Sequence, residues 1–382
     1  MKIIIKYVAV VTAMVLTTFG GFAQNNEVYQ FTQKTFLDNT EVKNQQQTGT
    51  CWSYCTTSFI ESELIRKGKP SINLSEMYNV RVSYTEKAMN FVLRQGKAQF
   101  GEGGLSHDVM NSIKKYGMVP ESVYEGNLYN PGHHNHTEMV AIIESQLKTI
   151  ITNPNHKLSK IWPQNIEGTL NSYMGEIPTE FTYDGKSYTP TSFTEYLDFH
   201  PDDYVTFTSF TNAPFYTPYI LQVPDNWANG SFYNVPLNEM MDQIDYALKN
   251  GYTIAWDADV SEKTWSRRFS IAIMPEVPYG EMSSSERSKL FKEIAAEMTP
   301  TQEARQELYM NYQTTDDHLM HIVGTAVDQN NNEYYIVKNS WGTKHKYDGY
   351  VYVSKAYMAM KTMGIMIHKD AVLKDLAKKM AE

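Results

Sequence analysis

The stretch NQQQTGTCWSYCTTS, residues 44–58, decides the fold of this chain and contains both of its cysteines. Cys51 follows a run of glutamines and a glycine, and it comes directly before Trp52. From residue 51 to 67 the apolar side chains share one half of a helical wheel, and Gly68 then provides a helix stop. The pattern predicts a buried helix that carries Cys51 in its first turn.

A thiol is a strong nucleophile only as a thiolate, and a helix N-terminus together with a neighbouring imidazolium lowers its pKa by several units. The position of Cys51 supplies the helix N-terminus. The imidazole has to come from elsewhere, and the candidates are His318 and His321 in the β-rich run DDHLMHIVG. These two histidines face opposite sides of a strand, so only one can point at the cysteine. Cys55, one turn further along the helix, fits a buried core position.

The first 23 residues are typical of a secretory signal peptide. Lys2 and Lys6 precede an apolar run over residues 7–22, and the small residues at 21–23 fit a cleavage site. The run is shorter than the roughly 20 residues that a membrane span needs. We therefore expect an exported protein, periplasmic or secreted, with no stable membrane insertion.

The composition argues against several other classes of protein. A formal net charge of −9 without a basic stripe is unsuited to a nucleic-acid partner. A disulfide between Cys51 and Cys55 would close a very short loop and add little stability. The 27 tyrosines, 16 phenylalanines and 6 tryptophans can instead supply a large aromatic core.

Further elements follow along the chain. Ser75 in the run LSE is a predicted helix N-cap, and a helix is predicted from Ser106 to Tyr116 after the run GEGG. Residues 126–240 are irregular, and we interpret them as an insertion of short strands and turns. Within it, residues 138–151 predict a helix and DGK at 184–186 predicts a hairpin turn.

The last third of the chain is rich in β-structure. Residues 251–261 predict a strand, and TPTQ at 299–302 predicts a capping box, with Pro300 at the first position of a helix that runs to about Tyr312. The runs HLMHIVGTAV, NEYYIVKNSWG and GYVYVSKA are separated by turn clusters. We expect them to form an antiparallel sheet, which makes the fold class α+β.

A cluster of histidines, His133, His134 and His136, raises the question of a metal site. The three lie in a loop that contains glycine and proline, without a nearby cysteine and without the spacing that puts two of them on one helical face. We therefore expect no metal and no cofactor, and the sequence assigns the cluster no function.

The motifs resemble, in the same chain order, those of the papain-like cysteine peptidases. In that family a glutamine six residues before the nucleophile completes the oxyanion hole, and this position is Gln45. The family's Gly-x-Cys-Trp, Asp-His-x-x-x-x-Val-Gly and Asn-Ser-Trp-Gly motifs match residues 49–52, 317–324 and 339–342. The resemblance implies a fold with a helical lobe and an antiparallel β-rich lobe, and a cleft between them.

The resemblance also implies the roles of individual residues. It implies that Cys51 is the nucleophile and His318 the base. Asn339 would orient the imidazole, and Gln45 would donate to the oxyanion hole. A Gly-Gly pair that lines the pocket for the substrate's second residue matches Gly103 and Gly104, and Trp341 would cover the hydrogen bond between asparagine and histidine. His321 stays open as the alternative base.

Within the family, the chain looks like the bleomycin hydrolase and aminopeptidase C branch, because of its wide insertion and the run WDADVS at 256–261. Members of that branch are hexamers whose own C-terminus lies in the cleft and admits only a free substrate N-terminus. A homo-oligomer is therefore implied. This chain, however, ends in HKDAVLKDLAKKMAE, a basic amphipathic tail unlike the short apolar ending of the branch.

The resemblance implies hydrolysis of peptides through a Cys51–His318–Asn339 triad and a thioester acyl-enzyme, as in an aminopeptidase of the bleomycin hydrolase type. An endopeptidase is the alternative within the family, and a non-catalytic peptide-binding protein is the alternative outside enzymes. The chain then divides into a signal peptide (1–23), a helical lobe with the nucleophile (24–125), an inserted subdomain (126–240), a β-rich lobe with a helical insertion near 281–312 (241–369) and a tail (370–382).

Overall fold

The computed structural model describes residues 28–152 and 157–381. The predicted signal peptide, residues 1–23, lies outside this part of the chain. Among the described residues, no helix is both long enough and apolar enough to cross a membrane.

The described chain alternates between helical and β-rich segments. The helices are α1 (Cys51–Arg66), α2 (Glu76–Leu93), α3 (Ser106–Tyr116), α4 (Thr137–Ile151), α5 (Trp162–Met174), α6 (Pro190–Leu197), α7 (Leu237–Lys249), α8 (Ser284–Lys289), α9 (Gln302–Met310), α10 (Lys355–Lys361) and α11 (Lys374–Ala381). The strands are β1 (Thr32–Phe36), β2 (Phe181–Tyr183), β3 (Lys186–Tyr188), β4 (Tyr204–Thr208), β5 (Thr217–Ile220), β6 (Ser231–Asn234), β7 (Ile254–Ala258), β8 (Trp265–Ser266), β9 (Ile271–Ala272), β10 (His318–Val327), β11 (Glu333–Lys338), β12 (Tyr350–Ser354) and β13 (Thr362–His368).

One large sheet organises the fold, in the order β5-β6-β4-β13-β7-β10-β11-β12-β9-β8, and β1 pairs with β10. The three runs expected to form an antiparallel sheet do so, as β10, β11 and β12. Parallel pairs occur further out, between β4 and β6 and between β9 and β12. The α+β class is confirmed, with a sheet that is mixed as a whole.

Apolar cores lie on both faces of this sheet. Consecutive residues of β10, Leu319 and Met320, enter different cores because side chains alternate along a strand. The first core contains the helices α1 to α6, and Trp52 at the start of α1 is fully buried in it. The second core contains α7 and α10 and is centred on Trp256 and Tyr357.

Several local predictions are confirmed. The structure has α1 and α3 at the predicted positions, and Ser75 caps α2 by accepting a hydrogen bond from the Tyr78 backbone N–H at 3.0 Å. The hairpin predicted at DGK joins β2 to β3, with Asp184 and Gly185 at positive φ.

Other elements differ from the prediction. The N-cap of α9 is Thr301, whose hydroxyl accepts from the Ala304 backbone N–H, so Thr299 and Pro300 precede the helix instead of starting it. Within residues 126–240, helix α5 was not expected, although its buried residues recur at every fourth position: Ile166, Leu170 and Met174. The same region contributes β4, β5 and β6 to the main sheet.

Candidate active site

Cys51 is the first residue of α1, where the backbone N–H groups of the first turn have no carbonyl partner within the helix. The preceding Thr50 makes no side-chain cap, because its hydroxyl lies 2.6 Å from the hydroxyl of Thr48 instead. Only 8% of Cys51 is exposed. The helix therefore directs the positive end of its dipole at a buried thiol.

Burial nevertheless dominates the electrostatics of this thiol. It raises the pKa of Cys51 to about 12, while the backbone N–H of Leu319 lowers it and the carboxyl groups of Asp316, Asp225 and Asp257 raise it further. Burial thus opposes the lowering of the pKa that the helix N-terminus would give to this thiol. A thiolate at neutral pH requires a base that takes the proton.

Helix α1 runs along strand β10, and this packing brings the cysteine to one end of the strand. Leu319 hydrogen-bonds to Cys51, the thiol of Cys55 donates to the Met320 carbonyl at 2.9 Å, and Ser58 contacts His321 at 2.9 Å. His318 precedes Leu319 by one residue. It is therefore the histidine at the Cys51 end of the strand.

His318 forms a hydrogen bond of 2.8 Å between its Nε2 and Oδ1 of Asn339, which directly follows β11. The same Oδ1 accepts from the Ser340 backbone N–H at 2.7 Å. Because a backbone N–H can only donate, this atom is the amide oxygen, and Nε2 of His318 must carry a proton. In the neutral imidazole, Nδ1 is then the free acceptor.

Trp341 stacks on the His318 ring, with 4.8 Å between centroids and 23° between planes. The guanidinium of Arg267 lies 3.8 Å from the centroid of the Trp341 ring. Burial lowers the pKa of His318 to about 4, and the charge of Arg267 also lowers it, whereas Asn339 raises it. Burial thus favours the neutral form of His318 at neutral pH.

His321 has a different environment. Its Nδ1 lies 2.9 Å from the Ser58 hydroxyl, which also accepts from the Lys338 ammonium at 2.8 Å. Its Nε2 is buried without a partner, and burial lowers its pKa well below the usual value. The structure therefore separates the two histidines, since His318 and not His321 is bonded to Asn339.

Gln45 connects the loop before α1 to the segment after β11. Its Nε2 donates to the Thr48 carbonyl at 2.7 Å, its Oε1 accepts from the Ser340 hydroxyl at 2.6 Å, and its backbone N–H donates to the Ser340 carbonyl at 2.9 Å. One hydrogen of Nε2 remains for another acceptor. The sequence motifs assign no role to Ser340, although it directly follows Asn339.

A Gln45→Ala variant is expected to lower kcat for peptide cleavage by about 10²–10³-fold, as loss of one oxyanion-hole donor does in other peptidases. Gln47→Ala is the matched control, because this exposed side chain accepts only from Asn135. Steady-state kinetics of both variants provide the comparison. Equal effects of the two substitutions would contradict the role of Gln45.

The glycines of the motifs lie beside α1. A Cβ on Gly103 would be 1.9 Å from Oδ2 of Asp225, and a Cβ on Gly104 would be 3.1 Å from the Trp52 ring. The backbone N–H of Gly49 donates to the Glu102 carboxylate at 2.6 Å. The lack of a side chain at Gly103 thus lets Asp225 approach the backbone there. The resemblance implies that this backbone lines a substrate pocket.

Cys55 has the environment of a core residue. Only 3% of it is exposed, its thiol donates to the Met320 carbonyl, and burial raises its pKa. Both cysteines are free.

The histidine cluster in the loop before α4 is partly buried. His136 contacts the Tyr84 hydroxyl through Nδ1 at 3.0 Å, and His134 is also buried. The parts of the chain that the structure describes contain no group of three or more His, Cys, Asp or Glu side chains placed to hold a metal ion. The structure therefore shows His136 in a packing contact.

Burial lowers the pKa of His136 to about 3, from an ordinary value of 6.5. Below pH 6.5 the unfolded chain therefore takes up a proton that the folded chain does not. The stability advantage of the wild type over a His136→Gln variant should shrink by about 1.4 kcal/mol per pH unit as the pH falls from 6.5 towards 4. Urea unfolding of both proteins at pH 7.5, 6 and 5 measures this difference, and a constant difference would contradict the prediction.

The C-terminal helix α11 packs on the sheet face opposite to α1. Leu376 is buried in the second core, and the Lys379 ammonium contacts the Glu239 carboxylate at 2.7 Å and the Tyr216 hydroxyl at 3.2 Å. This location differs from the cleft position that the resemblance implies for the branch. Up to Ala381, the tail is therefore not what limits access to Cys51.

Comparisons with known proteins identify relatives of this chain. The sequence model of the Peptidase C1-like family matches residues 5–382. Aminopeptidase G of Lactobacillus delbrueckii subsp. lactis is 24% identical over 89% of this chain and 84% of its own length. Aminopeptidase C of Listeria monocytogenes is 24% identical over 88% of this chain and 82% of its own length. The crystal structure of PepW from Lactobacillus rhamnosis HN001 superimposes with a TM-score of 0.71 at 20% identity, covering 92% of this chain and 84% of that one. The chain therefore belongs to the Peptidase C1-like family of papain-like cysteine peptidases.

Proposed function

We propose that the protein is a cysteine aminopeptidase that uses Cys51, His318 and Asn339 as its triad. The observation that carries this proposal is the Asn339 amide, whose oxygen accepts from both Ser340 and His318. This arrangement leaves Nδ1 of a neutral, buried imidazole free to accept the thiol proton. The relatives named aminopeptidases support the choice of an exopeptidase.

In the proposed reaction, Cys51 transfers its proton to Nδ1 of His318 and attacks the carbonyl carbon of the peptide bond. The negative charge on the carbonyl oxygen is stabilised by the Cys51 backbone N–H and the free hydrogen of Gln45 Nε2. His318 then protonates the leaving amine, which leaves a thioester on Cys51. Water hydrolyses the thioester with His318 as the base, and the resting pair is restored.

A substrate pair with free and blocked amines tests the proposal. The wild type should hydrolyse leucyl-aminomethylcoumarin at least about tenfold faster, in kcat/KM, than the N-acetylated compound, because a bond to a charged group adds about 1.5–3 kcal/mol. No hydrolysis of either compound or of longer peptides would refute a peptidase.

An endopeptidase is the second candidate, because α11 packs on the far face of the sheet and leaves the site without the tail that the branch places there. In that case blocked peptides longer than three residues should be cleaved internally and at least as fast as free ones. Mass spectrometry of the products distinguishes a single N-terminal residue from internal fragments.

We also propose that the protein is exported after cleavage near residue 23, on the basis of the basic and apolar pattern of the first residues. N-terminal sequencing of the protein from its native host would show a mature start close to Gln24. Recovery from the cytoplasm with Met1 intact would contradict export.

The homo-oligomer implied by the resemblance is a further proposal. Light scattering of the purified protein should give a mass near six times 43.9 kDa if the hexamer of the branch is retained. A monomeric mass over the working concentration range would contradict it.

A further inference from the structure

Three aspartates from separate parts of the chain lie around the nucleophile. Asp257 is in β7, Asp316 comes two residues before His318, and Asp225 lies in the segment between β5 and β6. The charges of all three act on the Cys51 thiol. None of them has a role in the proposed transfer of the acyl group.

Asp257 lies on the sheet face that α1 covers. It is the direct cross-strand partner of Leu319, whose backbone N–H hydrogen-bonds to Cys51. Cross-strand partners project to the same face, with Cβ atoms about 4.5–5.5 Å apart. Only 4% of Asp257 is exposed, and neither of its oxygens receives a hydrogen bond from a donor among the described residues.

Asp257 and Asp316 are neighbours, and two carboxyl groups can hydrogen-bond only when they share a proton. Burial and the charge of Asp316 raise the pKa of Asp257 well above its usual value, so Asp257 holds the shared proton. Burial also raises the pKa of Asp316, to about 7. One Asp316 oxygen is buried without a donor.

Asp225 connects this pair to the glycine motif. Its Oδ2 occupies the space where a side chain on Gly103 would begin, and its Oδ1 accepts from Gln99 Nε2 at 3.0 Å. The opposing cation is Lys87, which is buried and donates to the Gly103 carbonyl. With Asp257 protonated, the negative charge that faces this ammonium comes from Asp225 and from the ionised fraction of Asp316, whose pKa is about 7.

Buried carboxylates without donors are costly unless a cationic or hydrogen-bonding ligand joins them. A primary ammonium carries a positive charge and three hydrogen-bond donors, so it can both neutralise such carboxylates and donate hydrogen bonds to them. In a peptide that loses its first residue, the free amine occupies the place where an amide would join a preceding residue. It therefore points towards the pocket of that preceding residue, on the Gly103 side of Cys51.

We propose that Asp225, Asp257 and Asp316 form an anionic subsite that binds the α-ammonium group of the substrate's first residue. The subsite takes the role that the C-terminus has in the branch, because helix α11 packs on the opposite face of the sheet. This inference rests on the proposed aminopeptidase function and specifies how a free N-terminus is selected.

The test compares two reactions of the same protein preparation. Hydrolysis of leucyl-aminomethylcoumarin requires recognition of an ammonium, whereas alkylation of Cys51 by iodoacetamide, a neutral reagent, does not. In Asp225→Asn and Asp316→Asn, kcat/KM for the peptide substrate should fall about tenfold or more. The rate of Cys51 alkylation should stay equal or rise, because the removed carboxylates raise the pKa of the thiol.

Asp202→Asn is the control, since this exposed aspartate pairs with the Lys114 ammonium at 2.7 Å and has no part in the proposed site. Its two rates should keep their wild-type ratio. In the Asn variants at 225 and 316, a parallel fall of both rates would indicate structural damage and overturn the subsite.

A third substrate identifies the source of the ammonium. Acetyl-lysyl-leucyl-aminomethylcoumarin carries its ammonium on the side chain of the residue before leucine. If the Asn variants lose kcat/KM for this substrate while kcat/KM for the free-amine substrate is unchanged, the assignment to the α-ammonium is overturned. If the wild type hydrolyses none of the compounds, the proposed function fails, whereas activity with unchanged ratios in the variants refutes the subsite alone.

Discussion

A Cys51→Ala variant is expected to lose at least about 10⁴-fold in kcat/KM for peptide cleavage, because members of such a triad act as a unit. Its thermal unfolding should stay close to that of the wild type, since the substitution removes a single sulfur atom and alanine favours the helix. Cys55→Ala is the control within the same helix. It should keep its kinetic constants and lose some stability, because Cys55 is 3% exposed and bonded to Met320.

Chemical labelling provides an independent measurement of the same assignment. Under reducing conditions an epoxide or iodoacetamide should modify Cys51 much faster than Cys55, because Cys51 lies at the end of β10 that carries the imidazole bonded to Asn339. Equal, slow labelling of both cysteines would contradict the nucleophile. It would also favour a peptide-binding protein without catalysis. Full activity in Cys51→Ala would contradict Cys51 as the nucleophile and indicate that another group performs the attack.

The second large effect is expected at the two histidines. His318→Ala should lower kcat/KM by at least about 10⁴-fold, because its imidazole is the group bonded to Asn339. His321→Gln should keep activity within about tenfold, because its imidazole contacts Ser58 and is separated from the triad. Kinetics and unfolding curves of both variants give the comparison.

The pH dependence of the two variants strengthens this test. The lowered pKa of His318, about 4, means that the acidic limb of kcat/KM in the wild type should lie well below pH 6.5. The same limb should persist in His321→Gln. Loss of activity in His321→Gln, with activity kept in His318→Ala, would assign the base to the other histidine.

The sequence predicts the elements whose information is local. Helix α1 follows from a helical apolar pattern with a glycine stop, the cap at Ser75 from a serine that reaches its own helix, and the β2–β3 hairpin from Asp-Gly in a turn. Helix α5 shows the limit of this approach, because its pattern of one buried residue per turn is present but weak among polar neighbours.

The motifs also indicate Cys51, His318, Asn339 and Gln45 before any coordinates are known, because a resemblance in several short motifs constrains their chain order. Spacing alone leaves His318 and His321 equivalent as bases. The motif register implies His318, and in the structure His318 is the one that hydrogen-bonds to Asn339.

By itself, the sequence determined the family, the α+β class and the residues that form the candidate triad, since each is encoded in short contiguous motifs. Three further properties come from the tertiary structure: the raised pKa of Cys51, the position of α11 and the convergence of Asp225, Asp257 and Asp316 near Cys51. All three depend on burial and on contacts between segments distant in sequence. Such contacts leave no local pattern, because the free energy of a buried charge is set by whatever neighbours the fold brings to it.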